Sequence, residues 1–141
     1  MLHPLQPYYD ELTSYTLAQT GSEFLHQHLV DCFTLHTATA TTKPIGVVFA
    51  LVGVCLASEY GFTGRQVQLA HMHLARTKQD YPSLTLPDHR GTTTIHDILA
   101  LTPGHKRDAG LRAWCADVWQ AWSAHHANIR HILHTGGVVR G

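Results

Sequence analysis

Apolar residues recur along most of this chain at intervals of three and four positions, which is the period of an amphipathic helix. The pattern predicts helices over about 6–19, 23–37, 44–60, 64–79, 95–101 and 103–134. Residues 80–94 contain two prolines and a glycine and follow no helical period, so we expect a long loop there. No segment predicts a strand. The predicted fold class is therefore all-α, an irregular bundle of five to six helices in a single domain.

The predicted helix 44–60 is apolar on nearly every face, which is typical of a helix with neighbours on all sides. We expect it to form the buried centre of the bundle. Its longest apolar run would extend roughly 20 Å as a helix, whereas the hydrocarbon core of a bilayer is about 30 Å thick. The sequence therefore predicts no membrane partner for this helix. Glycine and alanine at 46, 50, 53 and 57 form a stripe of small residues that would let another helix come close.

Length and charge limit the class of protein further. The chain has 141 residues, enough for one domain with a single hydrophobic core. We assign residues 1–134 to the helical domain and residues 135–141 to a flexible C-terminal tail. Ten basic residues balance ten acidic ones, so the charge favours neither nucleic acid nor an anionic membrane as a partner.

The three cysteines, at positions 32, 55 and 115, are far apart in the sequence and form no CxxC pair. This spacing argues against a disulfide framework and against a zinc ribbon. The N-terminal segment MLHPLQPYYDEL has no basic region leading into an apolar run, so we expect no signal peptide. These features favour a protein of the reducing cytoplasm.

Thirteen histidines are the unusual feature of the composition. In a helical projection of 100° per residue, His28 and His36 fall in the apolar arc of the second helix, whereas His26 points outward. His71 faces inward on the fourth helix and His125 on the last. Metal sites in helical bundles are built from ligands that facing helices project into the core. The sequence therefore predicts a metal site formed by these four inward histidines.

The chemistry of that site follows from its ligands. Imidazole suits divalent transition metals, zinc first among them, and a catalytic zinc takes three protein ligands and a water. Asp31, three residues after His28, would join the ligands or accept a hydrogen bond from one of them. Glu59, at the end of the central helix, is a candidate general base or carboxylate ligand. The preferred function is a metal-dependent, hydrolase-like enzyme in which a metal-activated water attacks a small-molecule substrate.

Other interpretations of the same residues stay open. A single inward histidine is more often a hydrogen-bonded core residue than a ligand, and His28 with Asp31 would then be a buried pair. The bundle could instead be a non-catalytic module that holds a small ligand or haem, with histidines as polar anchors or axial ligands. A third alternative is a homodimer that acts through an exposed helix face. The turn DHRG, at 88–91, could carry His89 or Arg90 over a pocket.

Several segments together resemble a family of small bacterial proteins that is known only as a domain of unknown function. They are HPLQPYYDELTSYTLA, HQHLVDCF, TKPIGVVFALVGV, GFTGRQVQLAHMHLAR and WCADVWQAW. The resemblance extends over nearly the whole chain, although longer members of that family begin with a CxxC-containing segment that this chain lacks. It implies a compact bacterial protein, and it implies no activity and no ligand set.

Overall fold

Helices are the only regular elements in residues 3–19, 21 and 23–140, which are the residues that the computed structural model describes. In chain order the α-helices are α1 Gln6–Leu17, α2 Leu25–Thr37, α3 Pro44–Tyr60, α4 Gly64–Ala75, α5 Ile95–Ala100, α6 His105–Ala121 and α7 His126–Thr135. A 3₁₀ turn, Ser123–His125, separates α6 from α7. The all-α prediction is confirmed, since no strand occurs in these ranges.

Helix α3 lies at the centre of the bundle, as its sequence predicts. It packs against α2, α4, α6 and α7, and every residue from Val47 to Leu56 except Phe49 is buried. The helix begins at Pro44, whose fixed φ suits the first helical position. It ends at Gly61, which has a φ of 65° that favours glycine. Both ends of the central helix are therefore set by the local sequence.

The corner between α3 and α4 is fixed by a capping box. Thr63 Oγ1 accepts a hydrogen bond from the Gln66 N–H at 3.1 Å, and Gln66 Oε1 accepts one from the Thr63 N–H at 2.8 Å. The first residue of α4, Gly64, lies so close to the backbone before α2 that a Cβ would be 1.8 Å from Phe24 O. The corner therefore brings the start of α4 directly against the start of α2.

The prediction of one continuous helix over 103–134 is wrong. Helix α6 ends at Ala121, and the chain turns through the 3₁₀ segment before α7 begins. A straight helix over those residues would extend about 48 Å, nearly twice the roughly 26 Å of α3. Its second half would leave the bundle, whereas α7 packs against α3 and buries Ile129 and Leu133. Burial of this apolar face explains why the chain turns.

The segment between α4 and α5 is irregular over 80–94 as predicted, but it begins at residue 76 because α4 ends four residues before the predicted position, and side chains attach it to the helices. Arg90 donates hydrogen bonds to Leu35 O at 2.8 Å and to Ala38 O at 2.9 Å, at the C-terminus of α2. Its guanidinium also lies 5.5 Å from the ring centroid of Trp122. Asp117 on α6 accepts hydrogen bonds from two backbone N–H groups of the segment. The segment is therefore held against α2 and α6.

After α7 the chain turns back onto α4. His73 Nε2 lies 2.7 Å from Gly136 O, and Val139 is 8 % exposed. The predicted tail, 135–141, thus begins with the last residue of α7 and contacts α4 through Gly136, while Gly141 lies outside the described residues. Within the described ranges, no helix combines the length and apolar character that crossing a bilayer requires.

Candidate functional site

Helix α2 carries the two most deeply buried of the predicted site residues. It packs against both α3 and α6, and the His28 and Asp31 residues are 2 % and 3 % exposed. An ionisable group in such a place is either paired or neutral, because a buried charge without a partner is costly. The surroundings of each residue therefore decide its protonation state.

Asp31 points at α3, and its Oδ1 accepts a hydrogen bond from Gln27 Nε2 at 3.1 Å. Its buried Oδ2 has no hydrogen-bond partner among the residues that the structure describes. Oδ2 rests against Gly53, where an added Cβ would lie only 1.8 Å from it. The stripe of small residues on α3 therefore admits a carboxyl group at Gly53. Burial raises the pKa of Asp31 well above its usual range, more than the Gln27 hydrogen bond lowers it. Burial therefore shifts the equilibrium of Asp31 toward the neutral carboxylic acid.

His28 is neutral for a related reason. Burial, and after it the positive charge of Arg112, lower the pKa of His28 to about 4. Neutral imidazole is the form that binds metal ions, and the buried Nδ1 of His28 has no hydrogen-bond partner within the described part of the chain. Among the hydrogen bonds of the described residues, none joins His28 to Asp31, so the buried pair considered from the sequence is not formed.

The other two inward histidines, on α4 and at the end of the 3₁₀ turn between α6 and α7, are directed at backbone carbonyls. His71 Nε2 lies 2.7 Å from Phe49 O on α3, and His125 Nε2 lies 2.7 Å from Thr85 O in the segment between α4 and α5. Because a carbonyl oxygen only accepts hydrogen bonds, Nε2 is the donor in each contact. Burial lowers the pKa of His71, although its hydrogen bond to Phe49 O opposes this. Each of these histidines joins two elements of the fold.

His36 and Glu59 also have partners of their own. The His36 ring lies edge to face with Trp114 at 6.3 Å between centroids, and burial, followed by the charge of Arg90, lowers its pKa. Glu59 forms an ion pair with Arg130 at 2.6 Å between Oε1 and Nη2. The Arg130 hydrogen bond lowers the pKa of Glu59. A carboxylate with a lowered pKa is a weaker general base.

The predicted site residues therefore have separate surroundings. In the part of the chain that the structure describes, no group of three or more His, Cys, Asp or Glu side chains is placed to hold one metal ion. His28 and Asp31 share a helix, while His71, His125 and Glu59 each contact a different partner. The zinc site and the hydrolase-like activity stay predictions.

A cleft of about 300 Å³ opens between residues 39–44, which follow α2, and residues 83–86, which precede α5. Four hydroxyl-bearing side chains line it, Thr39, Thr42, Ser83 and Thr85, and the rest of the lining is Ala40, Pro44, Val47, Leu84 and Leu86. We call it the threonine cleft. Sequence reasoning missed it because the run TATATT predicts only a loop, and its opposite wall is about forty residues away in the chain.

Both walls of the threonine cleft are held by side chains from outside it. Arg90 donates to Ala38 O, immediately before the first wall begins. His125 contacts Thr85 O within the second wall. Hydrogen bonds to these carbonyls fix the backbone that carries the hydroxyl groups. The sequence suggested that Arg90 could lie over a pocket. In the structure Arg90 is not part of the lining of the threonine cleft but supports its first wall through Ala38 O, and His125 supports the second wall through Thr85 O.

A second cleft, of about 340 Å³, uses a neighbouring face of the first turns of α3. It is lined by Ile45, Gly46, Phe49, Ala75 and Tyr81. The Tyr81 hydroxyl donates to Leu74 O at 3.0 Å, so the lining offers mainly apolar surface. The N-terminal end of α3 therefore borders two clefts of different polarity.

Fold and cleft together define the class of protein: an all-α bundle around a buried apolar helix, with a hydroxyl-lined cleft where that helix begins. A family model described as a family of unknown function, DUF5946, matches residues 6–123 of the 141. The chain belongs to this family, and the resemblance drawn from its motifs is confirmed. No curated protein and no solved structure matches the chain.

Proposed function

We propose that the protein is a non-catalytic module that binds a small, neutral, hydroxyl-bearing molecule in the threonine cleft. The observation that carries the proposal is the lining, in which four hydroxyl-bearing residues and five apolar residues surround one cavity. Small-molecule sites combine apolar walls with a few polar groups that set the orientation of the ligand. The volume of the cleft is at the lower end of the usual range, about 300–1,000 Å³, so the ligand must be small.

The lining also selects the chemistry of the ligand. None of its nine described residues is charged, so the lining offers an ionic ligand no counter-charge. Thr42 Oγ1 accepts a hydrogen bond from the Thr39 N–H, and Thr39 Oγ1 accepts one from the Thr41 N–H. Because a hydroxyl group donates one hydrogen bond and accepts two, each keeps capacity for the hydroxyls of a ligand. Val47 and Leu86 offer apolar surface to the C–H face of such a molecule. This combination fits a monosaccharide or a short polyol.

Two features favour binding over catalysis. The walls are attached through Arg90 and His125, so the cleft is formed before a ligand arrives, which lowers the entropic cost of binding. His125 Nε2 is 3.4 Å from Thr85 Oγ1 and only 2.7 Å from Thr85 O. Because Nε2 donates to the carbonyl, it is not available as a base for that hydroxyl.

Proton–nitrogen correlation NMR tests the proposal directly. Glycerol, ribose and glucose are titrated separately into the labelled protein. We expect at least one of them to shift the amide signals of residues 39–47 and 83–86 in a saturable way, with those of α7 unchanged. The variant Ala40→Trp places a large side chain in the lining and should abolish the shifts.

The matched control is Ala113→Trp, at an exposed position of α6 outside the cleft, which should keep the shifts. If none of the three probes produces saturable shifts at the cleft, the proposed function is wrong. Shifts of equal size in Ala40→Trp would also contradict it, because binding would then occur elsewhere on the protein.

A further inference from the structure

Two cysteines that are distant in the sequence meet in the core. Cys32 on α2 and Cys115 on α6 place their Sγ atoms 3.6 Å apart across 83 residues of chain. Both are free thiols with no exposed surface. The third cysteine, Cys55 on α3, is equally buried, and its Sγ lies 3.6 Å from Glu59 Oε2. The core therefore holds a pair of thiols in contact, Cys32 and Cys115. It also holds one buried thiol, Cys55, that contacts a carboxylate instead and serves as an internal comparison.

The geometry of the pair is close to that of a bond. A disulfide has an S–S length of about 2.0 Å, so the two Sγ atoms need to approach by about 1.5 Å. Rotation of the two side chains moves the sulfur atoms on this scale. Helices α2 and α6 already pack against each other, so the approach does not require new helix packing.

We propose that Cys32 and Cys115 are an oxidisable pair, which forms a disulfide between α2 and α6 when the protein reacts with a hydroperoxide. Cys55 is not part of this reaction. The inference concerns a covalent modification of the core and is independent of ligand binding in the threonine cleft.

The reaction balances with hydrogen peroxide as the oxidant. The thiolate of one cysteine attacks a peroxide oxygen, an S–O bond forms, the O–O bond breaks, and the departing hydroxide takes up a proton to become water. The second sulfur then attacks the sulfenic sulfur, the S–S bond forms, and the S–O oxygen leaves as a second water. Two thiol protons and two electrons pass to one peroxide molecule.

Proximity, and not intrinsic reactivity, makes the pair selective. Burial, and after it the neighbouring Cys115, raise the pKa of Cys32 well above its usual range, so the first step is slow and needs a transient opening of the α2–α6 contact. The second step is fast because the partner sulfur is adjacent. Burial likewise raises the pKa of Cys55, to about 12, and among the contacts of the described residues its Sγ meets Glu59 and not a second cysteine sulfur that could complete the reaction.

The test treats the native protein with hydrogen peroxide, then unfolds it in iodoacetamide and measures its mass. We expect a product in which one thiol per chain is alkylated, together with a chymotryptic peptide pair that joins Cys32 to Cys115 and is lighter by two hydrogen atoms than the reduced peptides. The variant Cys55→Ala should give the same cross-link at the same rate. Cys115→Ala should give none.

A sample oxidised in denaturant supplies the reference in which all three cysteines can pair. If the native protein keeps three alkylatable thiols under conditions that oxidise free cysteine completely, the proposal is wrong. Cross-links to Cys55 in the native protein, at the yield seen in denaturant, would also overturn it. Should Cys115→Ala fail to fold, the wild-type protein and Cys55→Ala still decide the outcome, because the linked peptides are identified in both.

Discussion

Gly53→Ala tests the buried contact between α2 and α3. A Cβ at this position would lie 1.8 Å from Asp31 Oδ2, 2.6 Å from Asp31 Cγ and 3.3 Å from Val67 Cγ1. The first two distances are far inside van der Waals contact, so the carboxyl group must move. Asp31 is 3 % exposed and is hydrogen-bonded to Gln27, so it cannot rotate freely into solvent. The substitution therefore has to disturb the packing of two helices.

The size of the effect follows from three contributions. Overpacking a core position costs about 1–3 kcal/mol. Displacing the carboxyl group weakens its hydrogen bond to Gln27, which contributes about 0.5–1.5 kcal/mol. Alanine is more favourable than glycine in a helix interior by about 1 kcal/mol, which offsets part of the cost. We expect Gly53→Ala to lower the free energy of unfolding by about 1–3 kcal/mol.

A double-mutant cycle with Asp31→Ala isolates the contact. When the carboxyl group is absent, Val67 Cγ1 is the one of these three atoms that the new Cβ still meets, at 3.3 Å, and Gly53→Ala should then be neutral or stabilise the protein by up to about 1 kcal/mol. The interaction energy between the two sites should therefore be about 1–4 kcal/mol. Gly46→Ala is the matched control on the same helix, because its Cβ would meet nothing within 4 Å, and it should not destabilise the protein.

Urea denaturation followed by far-ultraviolet circular dichroism measures all four members of the cycle and the control. The measured slope against urea should be unchanged, so that differences in midpoint report differences in stability. If Gly53→Ala costs the same free energy with and without the Asp31 carboxyl group, the contact does not explain the glycine. An unchanged midpoint for the single variant would refute the packing itself.

Three other predictions follow from the same structure. Asp31→Asn should become increasingly stabilising relative to wild type as the pH rises above about 4, because the raised pKa of Asp31 lets the folded protein keep a proton that the unfolded chain releases. Denaturant unfolding at a series of pH values measures the difference in stability, and a difference that stays constant with pH would contradict the prediction. Arg90→Ala should lower the free energy of unfolding by about 2–4 kcal/mol, because it leaves two carbonyls at the end of α2 unpaired. Arg90→Lys should have an intermediate effect, since one ammonium group cannot span both carbonyls. Denaturant titration measures both variants, and an equal loss of stability in the two would contradict the reasoning. For the predicted metal site, elemental analysis should find a divalent transition metal in the wild-type protein and in His26→Ala but not in His28→Ala. Wild-type protein that takes up none of zinc, iron, nickel and copper at neutral pH would exclude the site.

The centre of the fold could be predicted because its signals are local. Pro44 starts α3, Gly61 ends it, and Thr63 starts α4 by pairing with Gln66 three residues later. Each signal acts through a backbone preference or a hydrogen bond within one turn. The continuous apolar character of α3 adds that the helix must be surrounded. None of these inferences depends on the tertiary arrangement of the helices.

The end of α6 has no comparable signal. The sequence WQAWSAHHANIR contains neither proline nor glycine, and its apolar residues keep the helical period across the turn. The chain turns there because Ile129 and Leu133 find their apolar surface on α3. That surface is built by residues about eighty positions earlier, so a short window of sequence does not contain the information.

For the inward histidines, the sequence predicts one property of the side chain, its burial, and does not predict another, its partner. A projection angle predicts that His28 and His125 are buried, and they are, but it gives neither the depth of a ring along its helix nor its partner. Every residue offers a backbone carbonyl, and His71 and His125 each contact one at 2.7 Å. Ligand spacing is predictable from sequence when a short loop ties the ligands together, as in CxxC, because few conformations then satisfy the chain. Ligands separated by tens of residues on different elements have no such constraint. For the same reason, no local pattern in the sequence predicts the contact between Cys32 and Cys115 across 83 residues.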